Sequence, residues 1–532
     1  MILLRHRIAA LLLLALAAAS PRPAPGADKP NIVLILADDM GFSDLSSYGS
    51  EIDTPNLDRL AANGLRYTQF YNVGRCAPTR ASLLTGLYNH HAGVGHMVED
   101  FGLPGYRGRL NPEAVTIGEA LRPAGYRTIA VGKWHVGSPR GSWPLDRGFD
   151  RFYGSPQGDL HYFRMFGGRS LVLGDQVIEP GEDWFSTEAY TEQAIGFIRE
   201  AQANSKPFFC YLAYYAPHYP LQARPQDIER HLGRYRQGWG PTGAARHRRQ
   251  VERGVVESRW GSSPPDPRLV PDWATVDQEE MDRRMAVYAA QVEEMDRGVG
   301  RVVSLLEESG AIDNTLILFL SDNGGDSAGG PLGFRRSDRG DATAPIGSPD
   351  SYASFGAAWA HVANTPFRGY KGETYEGGVA TPLIVHWPAG ISERGGLRRQ
   401  VGHVIDLLPT LLDAAGAAYP AERNGKPTLP LDGRSLVPTF QNRLMEREPL
   451  FWEHMGARAV RDGRWKLVSR PKGDWELYDL DSDRAESKDL APERSELVRK
   501  LSSVYDAWAA RTGVEPWQKV QPIFDKLREA QP

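Results

Sequence analysis

The chain has 532 residues, enough for one large domain and a smaller one, and its 41% hydrophobic and 24% charged content is that of a globular protein. Lys+Arg at 62 against Asp+Glu at 66 leaves a net charge of -4, so no global basic field draws nucleic acid and any anion-binding site has to be local. Only Cys76 and Cys210 are present, which excludes a disulfide framework and leaves either a single bridge or two free thiols.

The N-terminus begins with basic residues among Met1 to Arg7, runs through apolar Ile8 to Ala19 and enters a Pro-rich stretch, Ser20 to Ala27. This pattern predicts an export signal over residues 1–27, ending at Ala17-Ala18-Ala19 or at Pro25-Gly26-Ala27. The apolar run falls short of the about 20 residues that span a bilayer. The mature protein is therefore expected to be secreted or periplasmic, with no membrane attachment.

Ile32-Val33-Leu34-Ile35-Leu36 is a continuous aliphatic run of the kind buried on both faces of a parallel sheet, and it ends at Asp38-Asp39. Pro55 to Gly64 reads as a short helix with Thr54 as its cap. Pro78 then suits an early helix position, with Thr79 to Thr85 as the helix and Gly86 closing it. A helix over 116–125 and a strand over 127–131 lead to Gly132-Lys133-Trp134-His135. An amphipathic helix over 190–202 precedes the strand 208–215, which ends at Ala216-Pro217-His218 and carries Cys210 as a small buried hydrophobe.

Residues 220–275 are rich in Arg, Pro and Gly, and the basic cluster Arg246-His247-Arg248-Arg249 reads as solvated surface. From about Val276 a long helix carries one apolar stripe through Met281, Met285, Tyr288, Val292, Met295, Val299, Val302 and Leu306. The strand 314–320 ends at Ser321-Asp322-Asn323-Gly324. Residues 326–365 read as a long functional loop leading to Lys371, and a strand at 382–386 and a helix at 404–415 follow. Past residue 440, short strands at 449–452, 457–462, 465–468 and 475–478 and a helix over 493–510 suggest a small antiparallel sheet. The expected fold is α/β, a large mixed, mainly parallel sheet flanked by helices over residues 28–440, with an antiparallel sheet plus helix over 441–532.

Ligands of open α/β sheets bind beyond the carboxyl ends of the strands. That rule gathers Asp38, Asp39, Lys133, His135, His218, Asp322 and Asn323 at one edge. The oxygen donors Asp38, Asp39, Asp322 and Asn323 suit Ca²⁺ or Mg²⁺ rather than zinc. Arg80, Lys133 and Lys371 supply positive charge for a tetrahedral oxyanion, which points to a sulfate or phosphate ester. Tyr162, Trp359 and His361 are candidates either for pocket lining or for packing.

Cys76-Ala77-Pro78-Thr79-Arg80, extended by Ser82, Thr85 and Gly86, resembles the signature of the type I sulfatases, whose cysteine is oxidised after translation to formylglycine. The resemblance extends through Ala37-Asp38-Asp39-Met40-Gly41, Thr54-Pro55-Asn56-Leu57, Gly132-Lys133-Trp134-His135, Ala216-Pro217-His218, Ser321-Asp322-Asn323-Gly324 and Lys371, and is greatest to the bacterial arylsulfatase branch. It implies an alkaline-phosphatase-like fold and hydrolysis of aryl sulfates to a phenol and inorganic sulfate. It implies one Ca²⁺ on Asp38, Asp39, Asp322, Asn323 and the modified residue 76, and a formylglycine-generating maturation enzyme as partner.

In the roles the resemblance assigns, residue 76 is the nucleophile steadied by Arg80, and His135 takes its second hydroxyl's proton. His218 protonates the leaving group, and Lys133 and Lys371 hold sulfate oxygens. Two other readings stay open: a phosphodiester or phosphonate ester hydrolase on the same scaffold, and a non-catalytic Ca²⁺- or glycan-binding protein in which Cys76 remains a thiol.

Overall fold

The structure is a computed structural model and describes residues 29–158 and 161–529, so the expected export signal lies outside the described residues. Its centre is an eleven-stranded mixed sheet. The strand Asn31–Ala37 runs in the middle, parallel to Phe208–Ala213 on one side and Thr315–Ser321 on the other. Arg127–Lys133 and Arg151–Ser155 continue the parallel set. Ala380–His386 joins antiparallel beyond Thr315–Ser321 and pairs with Leu65–Tyr71. The sheet is thus mainly parallel with antiparallel flanks, as expected.

The continuous apolar runs are explained by burial on both faces. Val33 and Ile35 belong to one hydrophobic cluster and Ile32, Leu34 and Leu36 to the other, the alternation a strand imposes. Cys210 faces the first of these clusters, and both cysteines are free and buried. The long helix, Gln278–Glu308, buries its predicted stripe, methionines included.

A second, four-stranded antiparallel sheet is formed by Leu450–His454, Ala457–Asp462, Trp465–Ser469 and Glu476–Asp479. The helix Ser495–Thr512 packs on it, with Phe451 and Trp508 stacked at 4.9 Å between ring centroids. Trp452 of this sheet shares a hydrophobic cluster with Ile35 of the central strand, so the two sheets close over common apolar contacts.

Several expectations change on inspection. Arg246 lies on the helix Trp239–Glu252 and is fully buried, with Nη1 2.6 Å from Asp44 and Nη2 2.8 Å from Glu51. Arg249 donates to the carbonyl of Gly49, and only Arg248 of that basic cluster is exposed. Thr54 stands at the N-terminus of the helix Pro55–Ala62, but its hydroxyl accepts from Ser46 N–H. The helix is capped instead by Asp296 of the long helix, which accepts from the N–H groups of Asn56 and Leu57 at 3.1 and 2.8 Å. The 326–365 loop contains a helix, Gly356–Ala363, and a further helix, Trp517–Glu529, follows the closing one.

Candidate active site

The helix Cys76–Thr85 begins at Cys76 itself, three residues before the expected start, and ends at Gly86 with φ +68°. Pro78 falls in the first turn, where its missing N–H leaves no helical bond unmade. Thr79 Oγ1 accepts from the N–H of Val73 at 3.0 Å, which folds the preceding chain back onto the helix start. Every residue of this helix is buried, Cys76 being 3% exposed. Its amino end therefore presents N–H groups and the positive end of the helix dipole inside the protein, next to Cys76.

Around that end the parallel strands deliver their polar tips. Asp38 and Asp39 follow Asn31–Ala37, Asp322 and Asn323 follow Thr315–Ser321, Lys133 closes Arg127–Lys133, and His218 lies shortly past Phe208–Ala213. Arg80 ties three of these strands together. Its Nε and Nη2 donate to Asp322 Oδ2 at 3.0 and 2.8 Å, Nη2 reaches Asp38 Oδ2 at 3.2 Å, and Nη1 donates to the Lys133 carbonyl at 2.8 Å. Lys133 Nζ donates to the same Asp38 oxygen at 2.5 Å. Lys371 arrives from outside the sheet and bridges Asp39 at 2.6 Å and Asp326 at 3.2 Å.

The acids are not symmetrical. Burial pushes Asp38 up, but the charges of Lys133 and Arg80 outweigh it and hold the carboxyl far below its ordinary range. Asp322 is pushed up by burial and by the charge of Asp38, against the pull of Arg80. Asn323 Nδ2 donates to Asp39 Oδ1 at 2.7 Å, which turns the amide oxygen away from that carboxylate. Asp38 Oδ1 and Asn323 Oδ1 are buried and have no hydrogen-bond partner among the described residues. Two buried acceptors with nothing to accept, beside three carboxylates, fit a hard divalent cation. Donor atoms of Asp38, Asp39 and His218 lie within 4.8 Å of one another.

Both histidines are neutral in this field. Burial, then Lys133 and Arg80, hold His135 well below the ordinary imidazole value; burial and Lys371 hold His218 at about 3. His218 Nδ1 is 2.5 Å from the Tyr219 carbonyl, which can only accept, so the proton sits on Nδ1. Nε2, 3.4 Å from Asp39 Oδ2, is then the atom that gains and loses a proton. His135 has a left-handed backbone (φ +58°), and Gly158 lies against its ring so closely that a Cβ there would stand 2.2 Å from Nε2.

The structure thus brings Cys76, Arg80, Lys133, Lys371, Asp38, Asp39, Asp322 and Asn323 to one edge with both histidines. Tyr162 supports it from behind, donating to the His218 carbonyl at 2.9 Å. Trp359 is packing, buried among Trp239, Trp273 and Tyr235. His361 lines a different cleft of about 610 Å³ with Arg368 and Tyr370. Two residues escape the sequence reading: Asp326, the second partner of Lys371, and Arg75, whose only signal is its place immediately before Cys76.

Residues 30–417 match the family described as sulfatase, and residues 370–507 match the one described as N-sulphoglucosamine sulphohydrolase, C-terminal. An uncharacterised sulfatase of Schizosaccharomyces pombe is 33% identical over 91% of this chain and 94% of its own. The arylsulfatase of Klebsiella aerogenes is 35% identical over 77% of this chain and 91% of its own. The crystal structure of Ps i-CgsB in complex with k-i-k-neocarrahexaose superposes with a TM-score of 0.68, at 27% identity, over 90% of this chain and 93% of that one. The match over residues 30–417 takes in every strand tip that meets at Cys76, and on it the chain belongs to the sulfatase family, of the type I class its signature resembles.

Proposed function

We propose that the protein hydrolyses sulfate esters, aryl sulfates among them, with residue 76 acting as formylglycine made from Cys76 and with one Ca²⁺ held by Asp38, Asp39, Asp322, Asn323 and residue 76. The observation that carries this reading is the pair of buried oxygens without a hydrogen-bond partner among the described residues, Asp38 Oδ1 and Asn323 Oδ1, in an acidic cluster flanked by cations next to Cys76. When bound there, a divalent cation would neutralise the carboxylates and stabilise negative charge at the sulfate. The hydrated aldehyde of formylglycine supplies two hydroxyls on one carbon, one for attack on sulfur and one for releasing sulfate by elimination.

The chain's own groups do the rest. Arg80 fixes Asp38 and Asp322 and thereby the floor of the site. Lys133 commits one proton to Asp38 and keeps others for sulfate oxygens; Lys371, held between Asp39 and Asp326, does the same from the opposite side. Neutral His135 accepts the proton of the second hydroxyl at residue 76. His218 donates from Nε2 to the leaving oxygen once the arriving sulfate offsets the nearby lysines and lets that nitrogen take up a proton. Its Nδ1–H on the Tyr219 carbonyl keeps the ring oriented.

The same reading takes residues 1–27 as an export signal, 28–440 as the catalytic domain and 441–532 as its C-terminal subdomain. It places the protein outside the cytoplasm and makes it a client of a formylglycine-generating enzyme. The test compares sulfate release from aryl sulfates with hydrolysis of aryl phosphodiesters and phosphonate monoesters by the matured protein. A higher kcat/KM for the aryl sulfate is expected. A preference for the phosphorus esters would overturn the substrate assignment, and binding without turnover of either would overturn catalysis.

A further inference from the structure

Three of the cations at the site end on carboxylates: Arg80 on Asp38 and Asp322, Lys133 on Asp38, Lys371 on Asp39 and Asp326. Arg75 does not. It stands at the N-cap of the Cys76–Thr85 helix with extended backbone (φ -148°, ψ 142°), one residue before the nucleophile. Its Nε is buried with no acceptor among the described residues, and no carboxylate there comes within ion-pair distance of it. Burial disfavours its charge, while Cys76, Asp326, Tyr219 and Asp39 favour it, which puts the guanidinium on the Lys371 side of the same pocket.

Gly372, next to Lys371, marks where that side chain ends. A Cβ at Gly372 would lie 3.8 Å from Arg75 Nη1 and 4.0 Å from His454 Cδ2. His454 closes the strand Leu450–His454, is 4% exposed, and has a buried Nδ1 without a partner among the described residues. Its ring stacks on His96 at 5.5 Å between centroids, and His96 packs in turn on Trp517 and Phe524 of the last helix. The guanidinium and the His454 ring therefore flank the same point beside Gly372, and the C-terminal sheet and final helix hold that ring in place.

We propose that Arg75, backed by His454, recognises a second anionic group on the alcohol side of the substrate, so that preferred esters carry a carboxylate or a further sulfate beside the ester that is cleaved. This rests on the sulfatase reading above. The sulfatase reading already assigns the oxygens of the cleaved sulfate to Lys133 and Lys371, which leaves Arg75 without a role there. A fourth cation, a guanidinium with no ion-pair partner among the described residues, presents a planar fork that pairs two oxygens of a carboxylate or sulfate at once, which an ammonium does not. A buried donor without an acceptor calls for an explanation, and a ligand that completes it supplies one.

The test measures kcat/KM for phenyl sulfate, its 3- and 4-carboxy derivatives and resorcinol bis-sulfate, with the matured wild type, Arg75→Gln and Arg75→Lys. The readout is the ratio of each anionic substrate to phenyl sulfate within one preparation, which cancels any difference in the fraction folded or matured. For wild type, at least one ratio is expected to exceed about 10, the strength of a charge-assisted hydrogen bond. Arg75→Gln lowers that ratio about tenfold or more, and Arg75→Lys falls between. The carboxylates and the bis-sulfate separately report which anion fits.

Wild-type ratios at or below one for all three overturn the proposal even if neither variant folds. So does an Arg75→Gln protein that slows on every substrate alike, which would make Arg75 a ligand of the scissile sulfate. Absence of turnover of every sulfate by matured wild type is a different failure, that of the sulfatase reading itself.

Discussion

Two buried ionic clusters in this molecule use the same residue types to opposite ends. One lies between the sheets. Both oxygens of Glu376 are taken, Oε1 by Lys466 Nζ at 2.9 Å and Oε2 by Arg484 Nε and Tyr71 Oη, each at 2.8 Å. Lys466 also meets Glu486 at 2.9 Å. Glu376 and Tyr71 belong to the main body, Lys466 to the small sheet, so these bonds fix one sheet on the other. The second cluster, at the strand ends, has partners of equal quality but leaves Asp38 Oδ1, Asn323 Oδ1 and Arg75 Nε unmet among the described residues. The inter-sheet cluster also leaves Arg484 Nη2 without a hydrogen-bond partner among the described residues, but each of its acids is matched to a cation; at the strand ends two acceptors, Asp38 Oδ1 and Asn323 Oδ1, stay open, which suits a bound cation.

The comparison breaks most visibly at residue 76. Cys76→Ala is expected to remove sulfatase activity by on the order of 10³-fold or more, as loss of a nucleophile does, while the unfolding temperature moves little. Glu376→Gln should do the reverse. Removing one charge from a buried set leaves the others uncompensated and costs about 3–5 kcal/mol, read in a denaturant titration, with kcat per folded molecule retained. A Glu376→Gln protein as stable as wild type would show that the inter-sheet cluster is not holding the sheets.

Divalent-ion removal gives a smaller shift. If the open cluster takes Ca²⁺, stripping the ion lowers the unfolding temperature and restoring it at 100 times its Kd returns about 2.7 kcal/mol. Asp38→Asn should abolish that gain. The thermal readout does not depend on turnover.

At neutral pH the smallest expected effect belongs to neither cluster, because it develops only as pH falls below about 6.5. Burial, with Arg59 nearby, holds His386 at about 4, and burial, with Arg164 nearby, holds His161 at about 4. Unfolded histidines titrate near 6.5, so between about 6.5 and 4 the unfolded chain binds more protons than the folded one, and stability falls as pH falls through that window. Each contributes a slope of up to about 1.4 kcal/mol per pH unit. His386→Asn should flatten the acid limb of a stability–pH curve without moving activity.

Much of the fold was legible because its strands are buried on both faces and read as unbroken aliphatic runs. The rule that ligands sit beyond strand ends then brought Asp38, Lys133, His218 and Asp322 together from distant sequence. What escaped depends on tertiary partners. Arg246 reads as solvated beside Arg248 and Arg249, yet Asp44 and Glu51 neutralise it inside the protein. Thr54 is a good cap by type, but the carboxylate of Asp296 reaches the same N–H groups first. The helix at 356–363 was hidden by the glycines and serines before it. Arg75 has no pattern of its own; only the places of its neighbours, each already paired, make it stand out.

The central claim is that residue 76 works as formylglycine. Trypsin cutting after Arg75 and after Arg80 isolates residues 76–80 as one short peptide, whose mass distinguishes an aldehyde from a thiol. In protein that releases sulfate from an aryl sulfate, the peptide is expected in the aldehyde form and resistant to thiol alkylation, in proportion to activity. Full activity in protein whose residue 76 is an alkylatable thiol in every copy would contradict the account.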